Sequence, residues 1–201
     1  MTDHRPASLS SPANVLGLVR IGATPVVMVL MFVGEPGYGL AAALLFAAAA
    51  LTDFFDGYVA RARGEVSPLG VFMDLTADKV LVAGVLVAMV EIDLLPTWMV
   101  ATILVRELVI AGVRQAAAAA DVVIPARPLG KAKTLTTLAG MGLLLLAWDA
   151  LTGGPTAGVD GFAATAQAAG FWTMVAATVL TVVSAWDYLR GSMALLRGDR
   201  R

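Results

Sequence analysis

Asp53, Asp56, Asp74 and Asp78 stand inside two long apolar stretches of the chain. A lone ionised carboxylate costs about 2.5–3.5 kcal/mol at a bilayer centre, so four together need compensation. Asp53, Asp56, Gly57, Ala60 and Arg61 recur at i, i+3, i+4, i+7 and i+8, and Gly70, Asp74 and Asp78 at i, i+4 and i+8. On helices each set lines one face. A short connection around Ser67-Pro68 turns the second helix back beside the first. At about 1.5 Å per residue, the four carboxylates then share a layer roughly 6–15 Å from the joined ends. Such a cluster repels itself unless cations bind between its members. An oxygen-only donor set without His or Cys suits Mg²⁺ or Mn²⁺. The competing account is a structural ion-pair cluster with Arg61, Arg63 and Lys79 as partners. It leaves unexplained Gly57 and Gly70, each of which costs about 1 kcal/mol against Ala in a helix. Close approach of a substrate accounts for them; tight helix packing is the rival reason.

A second set of charges is basic. Arg106 lies mid-stretch in apolar sequence, Arg114 follows eight residues later on the same helical face, and Lys131 and Lys133 open the next apolar run. An intramembrane cation is costly and is usually there for function. Guanidinium and ammonium groups suit a dianionic phosphate, the former with bidentate geometry. Lys131, Lys133 and Arg127 serve equally well as topology markers. An Arg106–Glu107 pair is the weaker alternative, because adjacent helical residues point about 100° apart.

The elements that must hold these groups are long and apolar. Six stretches of about 20 residues or more qualify as membrane helices, at 14–33, 38–62, 69–91, 96–118, 131–152 and 168–192. Gly34-Glu35-Pro36-Gly37, Ser67-Pro68, Leu95-Pro96, Pro125 to Pro128 and the Gly/Pro-rich 153–161 separate them. Arg5, Arg61, Arg63, Arg114, Arg127, Lys131, Lys133, Arg190, Arg197, Arg200 and Arg201 gather at one set of helix ends, while Glu35, Glu91, Asp93, Asp149 and Asp160 occupy the other. Basic loops stay inside, so both termini and the carboxylate layer are expected on the cytoplasmic side of the cell membrane. The expected fold is all-α and integral to the membrane: a six-helix catalytic domain over 13–197, with a polar tail at 1–12 and a basic tail at 198–201.

Composition agrees and excludes much else. The chain has 201 residues, 59% of them hydrophobic and 14% charged, with a mean hydropathy of +0.82; soluble domains run near 25% charged. A net charge of −1 gives no reason to expect nucleic acid. Cysteine is absent and the one histidine, His4, lies in the tail. Thiolate chemistry, a Ser-His triad and a His-based metal site are thereby set aside.

The run Asp53-Phe-Phe-Asp56-Gly57-Tyr-Val-Ala60-Arg61, followed by Gly70, Asp74 and Asp78 at their spacings, resembles the signature of the CDP-alcohol phosphotransferases at all eight fixed positions. Pro12, Asn14, Leu16, Arg20 and Pro25 resemble the opening of that family's phosphatidylglycerophosphate synthases, although Gly17 stands where those often carry Thr. Arg106-Glu107 with Arg114, then Gly130-Lys131-Ala-Lys133-Thr134, and finally Ser184, Asp187 and Tyr188 are similar to their later spans. The resemblance implies a six-helix bundle, usually a homodimer, acting on CDP-diacylglycerol within membrane lipid. Two metal ions would be held by Asp53, Asp56, Asp74 and Asp78, with Asp78 as general base. Gly57, Ala60 and Gly70 would admit the cytidine end, and Arg61 would contact phosphate. Arg106, Arg114, Lys131 and Lys133 would then receive the phosphate of glycerol 3-phosphate. Phosphatidylinositol-phosphate synthesis is the nearest alternative, because its acceptor also carries phosphate. A divalent-cation transporter is the remote one, because carboxylates at one depth do not trace a route across the bilayer.

Overall fold

The computed structural model describes residues 12–63, 68–119 and 128–196, with side chains described for 15–52, 76–119 and 128–191. Among them the chain forms six α-helices: α1 (Pro12–Val33), α2 (Tyr38–Arg63), α3 (Pro68–Glu91), α4 (Thr97–Ala119), α5 (Pro128–Leu151) and α6 (Phe162–Leu196). One 3-10 turn, Pro155–Gly158, lies between α5 and α6. The breaks fall where the sequence places its turn residues. Gly34 and Gly37 take φ of 64° and 87° between α1 and α2, conformations that cost glycine little. Pro68 and Pro128 open α3 and α5, where a missing amide hydrogen is no loss. Helix α6 starts six residues before the expected 168, because Phe162–Gln167 is alanine-rich and helix-forming.

Helices α5 and α6 pack most extensively; α1 lies against α2 and α3, α2 against α5, and α4 mainly against α6. Small residues permit the α5–α6 approach. A Cβ on Gly140 would come 2.8 Å from Met174 Sδ, and one on Gly170 would come 3.1 Å from the Leu144 backbone nitrogen. The core between the helices gathers Val27, Met31, Phe46, Leu86, Met89, Ile103, Met141 and Leu144. The outer faces are apolar as well: Val19 on α1, Leu44 on α2, Val87 on α3, Leu108 on α4, Leu135 on α5 and Val179 on α6 are all exposed. Apolar surface on every helix requires a lipid solvent. Among the described residues, three helical segments are long and apolar enough to cross a bilayer: Val15–Val33, Pro128–Leu151 and Phe162–Gly191. The protein is an all-helical membrane protein.

Threonine hydroxyls inside the bundle donate to carbonyls one turn back, as Thr24 does to Arg20 (3.1 Å) and Thr181 to Ala177 (2.7 Å). That satisfies them without water. Asp149 behaves otherwise. Its carboxylate is fully buried; it accepts the Leu40 amide at 2.9 Å, the Thr156 amide at 3.0 Å and the Thr156 hydroxyl at 2.7 Å. The N-terminus of α2, the C-terminus of α5 and the 3-10 turn are thus tied at one point. Asp149 stands at the end of α5, where the sequence places it among the acidic helix ends, and it also caps α2 from that neighbouring helix. Gly39 makes room for it, since a Cβ there would fall 2.5 Å from Asp149 Cα.

Candidate active site

Both halves of the carboxylate motif are helical. Asp53, Asp56, Gly57, Ala60 and Arg61 lie within α2, and Gly70, Asp74 and Asp78 within α3. A helical backbone is what the expected shared faces require. The side chains from Asp53 to Asp74 lie outside the described residues, and with them the expected convergence of carboxylates. Asp78 is described and half-buried, with Ala77 and Leu81 buried on either side of it.

Arg20 on α1 is a further buried cation outside the set of expected site residues. It is 1% exposed. Thr24, one turn later, lies against α3, where a Cβ on Gly84 would come 2.5 Å from Thr24 Cγ2. A cation in apolar sequence was the signal that singled out Arg106, and the same signal applies to Arg20.

The basic residues divide into three groups. Arg106 from α4 and Lys133 from α5 meet at Glu107. Its Oε1 accepts Arg106 Nη1 at 2.8 Å and Lys133 Nζ at 2.6 Å. Arg106 Nη2 also donates to Ser184 Oγ of α6 at 3.1 Å. The three charged side chains are 13%, 7% and 25% exposed for Arg106, Lys133 and Glu107 respectively. The Arg106–Glu107 pair, the weaker alternative for adjacent helical residues, does form. Both side chains are long enough to bend around the helix toward Lys133, which supplies a third partner. Arg114 sits apart with α6: its Nε donates to the Tyr188 hydroxyl at 3.2 Å, and its guanidinium lies 5.5 Å from the ring centroid. Lys131 is exposed, whereas Lys133 is buried. Two positions apart on a helix means roughly 200° around it, so the two lysines cannot serve one point equally.

A cleft of about 540 Å³ opens between α4 and α6, lined by Arg106, Val105, Val109, Val182, Ala185 and Trp186 among others. The Arg106 Nε is buried and has no hydrogen-bond partner among the described residues. A half-buried Arg106 and a buried Lys133 against one carboxylate, with a guanidinium nitrogen unsatisfied, make an anion-accepting arrangement. Sequence reasoning found both cations. Glu107 as the group that joins them is not legible in the spacing, because the joining depends on how α4 and α5 are each set against α6.

A family model for CDP-alcohol phosphatidyltransferases matches residues 11–183, a range that contains every candidate site residue. The chain is 39% identical over 145 residues to the CDP-diacylglycerol–glycerol-3-phosphate 3-phosphatidyltransferase of Bacillus subtilis (strain 168), covering 66% of this chain and 75% of the relative. It is 35% identical over 136 residues to the protein of the same name from Rickettsia bellii (strain RML369-C), covering 66% and 74%. A probable phosphatidylglycerophosphate synthase of Mycobacterium tuberculosis (strain ATCC 25618 / H37Rv) is 33% identical over 198 residues, covering 97% of this chain and 88% of the relative.

Proposed function

The chain belongs to the CDP-alcohol phosphatidyltransferase family, and we propose that it transfers the phosphatidyl group of CDP-diacylglycerol to glycerol 3-phosphate, forming phosphatidylglycerophosphate and CMP. The observation that carries the choice of acceptor is the meeting of Arg106 and Lys133, from two helices, in a site with unsatisfied donor capacity. A phosphorylated alcohol needs such a site, and a neutral one does not.

In this reading all six helices span the cell membrane as one catalytic domain over 13–197, with termini and active site cytoplasmic. The active form is a homodimer, as the family resemblance implies. Asp53, Asp56, Asp74 and Asp78 would hold two Mg²⁺ or Mn²⁺ ions, which the oxygen-only donor set of the motif fits. When bound, the metal would neutralise charge on the pyrophosphate and on the oxygens that attack and leave. Gly57, Ala60 and Gly70 leave space for the cytidine end of the donor, and Arg61 contacts its phosphate. Asp78 accepts the acceptor's hydroxyl proton as that oxygen attacks the β-phosphorus. The bond from that phosphorus to the bridging oxygen breaks, and CMP leaves. Arg106 and Lys133 hold the acceptor phosphate through the reaction, and Arg114 and Lys131 add positive charge on the same helices.

The test is an acceptor panel. Purified protein in detergent, with CDP-diacylglycerol and Mg²⁺ or Mn²⁺, is offered glycerol 3-phosphate, inositol phosphate, inositol, serine or phosphatidylglycerol. Mass spectrometry of the lipid product is expected to show phosphatidylglycerophosphate and an equal amount of CMP. Product from another acceptor, with none from glycerol 3-phosphate, would refute the assignment.

A further inference from the structure

We propose that Glu107 is a positioning residue for the acceptor: its carboxylate gathers Arg106 and Lys133 at one point before the phosphate arrives. This rests on the acceptor assignment above and deepens it. The geometry is a bridge through a single oxygen, with Oε1 at 2.8 Å from Arg106 Nη1 and 2.6 Å from Lys133 Nζ. The chain of contacts continues into α6, where Ser184 Oγ accepts Arg106 Nη2 at 3.1 Å and itself donates to the Thr181 carbonyl at 3.1 Å. The acid joins α4 to α5, and Arg106 carries the link on to α6.

A bridge that only glued helices together would be complete with one cation per carboxylate. Here two cations face one carboxylate, and Arg106 Nε stays without an acceptor among the described residues. An ammonium has three donors and a guanidinium five, so capacity remains for a further anion after Glu107 is served. Glu107 acts on that anion in two opposed ways. It repels a dianion directly, and it holds two long, rotamer-rich side chains where the dianion needs them. Holding wins because, without the acid between them, the like charges of Arg106 and Lys133 repel and swing apart. The phosphate would then have to order both side chains as it binds.

Steady-state kinetics on the full chain test this, with glycerol 3-phosphate and CDP-diacylglycerol each varied against the saturated other. Glu107→Gln is expected to raise the acceptor KM about tenfold, with kcat and donor KM changed less than about threefold. Glu107→Asp, which restores the charge on a shorter stem, is expected to recover part of that loss. In a Lys133→Gln background, Glu107→Gln is expected to add little, because its partner is already gone. An unchanged or lowered acceptor KM in Glu107→Gln would overturn the proposal, as would equal rises in both KM values. If Glu107→Gln does not fold, Glu107→Asp carries the test, and a wild-type acceptor KM in that variant together with full additivity in the Lys133→Gln background overturns the proposal. A wild-type enzyme that turns over only unphosphorylated acceptors would fail the acceptor assignment itself, a result recognisable before any variant is made.

Discussion

Replacing Asp149 is expected to cost stability and leave catalysis alone. Its buried carboxylate accepts three hydrogen bonds, from Leu40 N, Thr156 N and Thr156 Oγ1, at 2.9, 3.0 and 2.7 Å. Hydrogen bonds to a charged group contribute about 1.5–3 kcal/mol each, and buried donors left unpaired add to the loss. The three bonds share one side chain and do not sum fully, so Asp149→Ala is expected to cost about 3–5 kcal/mol, at the upper end for a point substitution. At roughly 2–4 °C per kcal/mol for a chain of this length, the melting midpoint should fall by about 6–20 °C. Asp149→Asn keeps the volume but turns an amide group toward one of the donors, and should lose about half as much. Thr156→Val removes the hydroxyl contact alone and should cost about 1 kcal/mol. Asp149 and Lys133 are 16 positions apart on α5, about 24 Å at a rise of 1.5 Å per residue. Both KM values should therefore hold at temperatures where the variants stay folded. The assay is thermal unfolding in detergent by intrinsic fluorescence, paired with steady-state kinetics. A midpoint within about 2 °C of wild type in Asp149→Ala would refute the latch; altered KM values with an unaltered midpoint would move the residue's role to the active site.

Chelation with EDTA is expected to abolish turnover, and Asp→Asn at 53, 56, 74 or 78 to do so in protein that still inserts and folds; full activity in either case would refute the metal site. Gly57→Ala and Gly70→Ala are expected to hold or raise thermal stability, by about 1 kcal/mol of helix propensity where the methyl fits, while weakening the donor; an unaltered donor KM in both would favour a packing role. Arg106→Gln and Lys133→Gln should each raise the acceptor KM by about one to two decades, the worth of a charge-assisted phosphate contact. Lys131→Gln should do less, because Lys131 is exposed, and a larger effect at Lys131 than at Lys133 would show that the phosphate is held elsewhere. Arg106→Lys keeps the charge and loses the planar fork, so an acceptor KM equal to wild type would argue against bidentate contact.

Much of this protein is legible in one dimension because lipid leaves the backbone few choices. An apolar run of about 20 residues must be a helix, and Gly34-Glu35-Pro36-Gly37, Pro68 and Pro96 must interrupt it. The six helices follow from those two facts, with α5 and α6 starting a little early. The motif spacing of Asp53 to Asp78 needs only helical periodicity, and both stretches are helical. Partner choice is different, since it depends on which helix arrives alongside. Asp149 reads in sequence as one more acidic group at an outer end; only the return of the 3-10 turn and the seat beside Gly39 make it a buried cap. Lys131 and Lys133 are indistinguishable by composition, and the rotation of α5 against its neighbours buries one and exposes the other. Arg106 and Glu107, pointing apart on their own helix, meet because Lys133 offers a shared partner across the α4–α5 gap. Local periodicity is written residue by residue, whereas a contact between α4 and α5 is decided by packing, and no spacing along the chain encodes it.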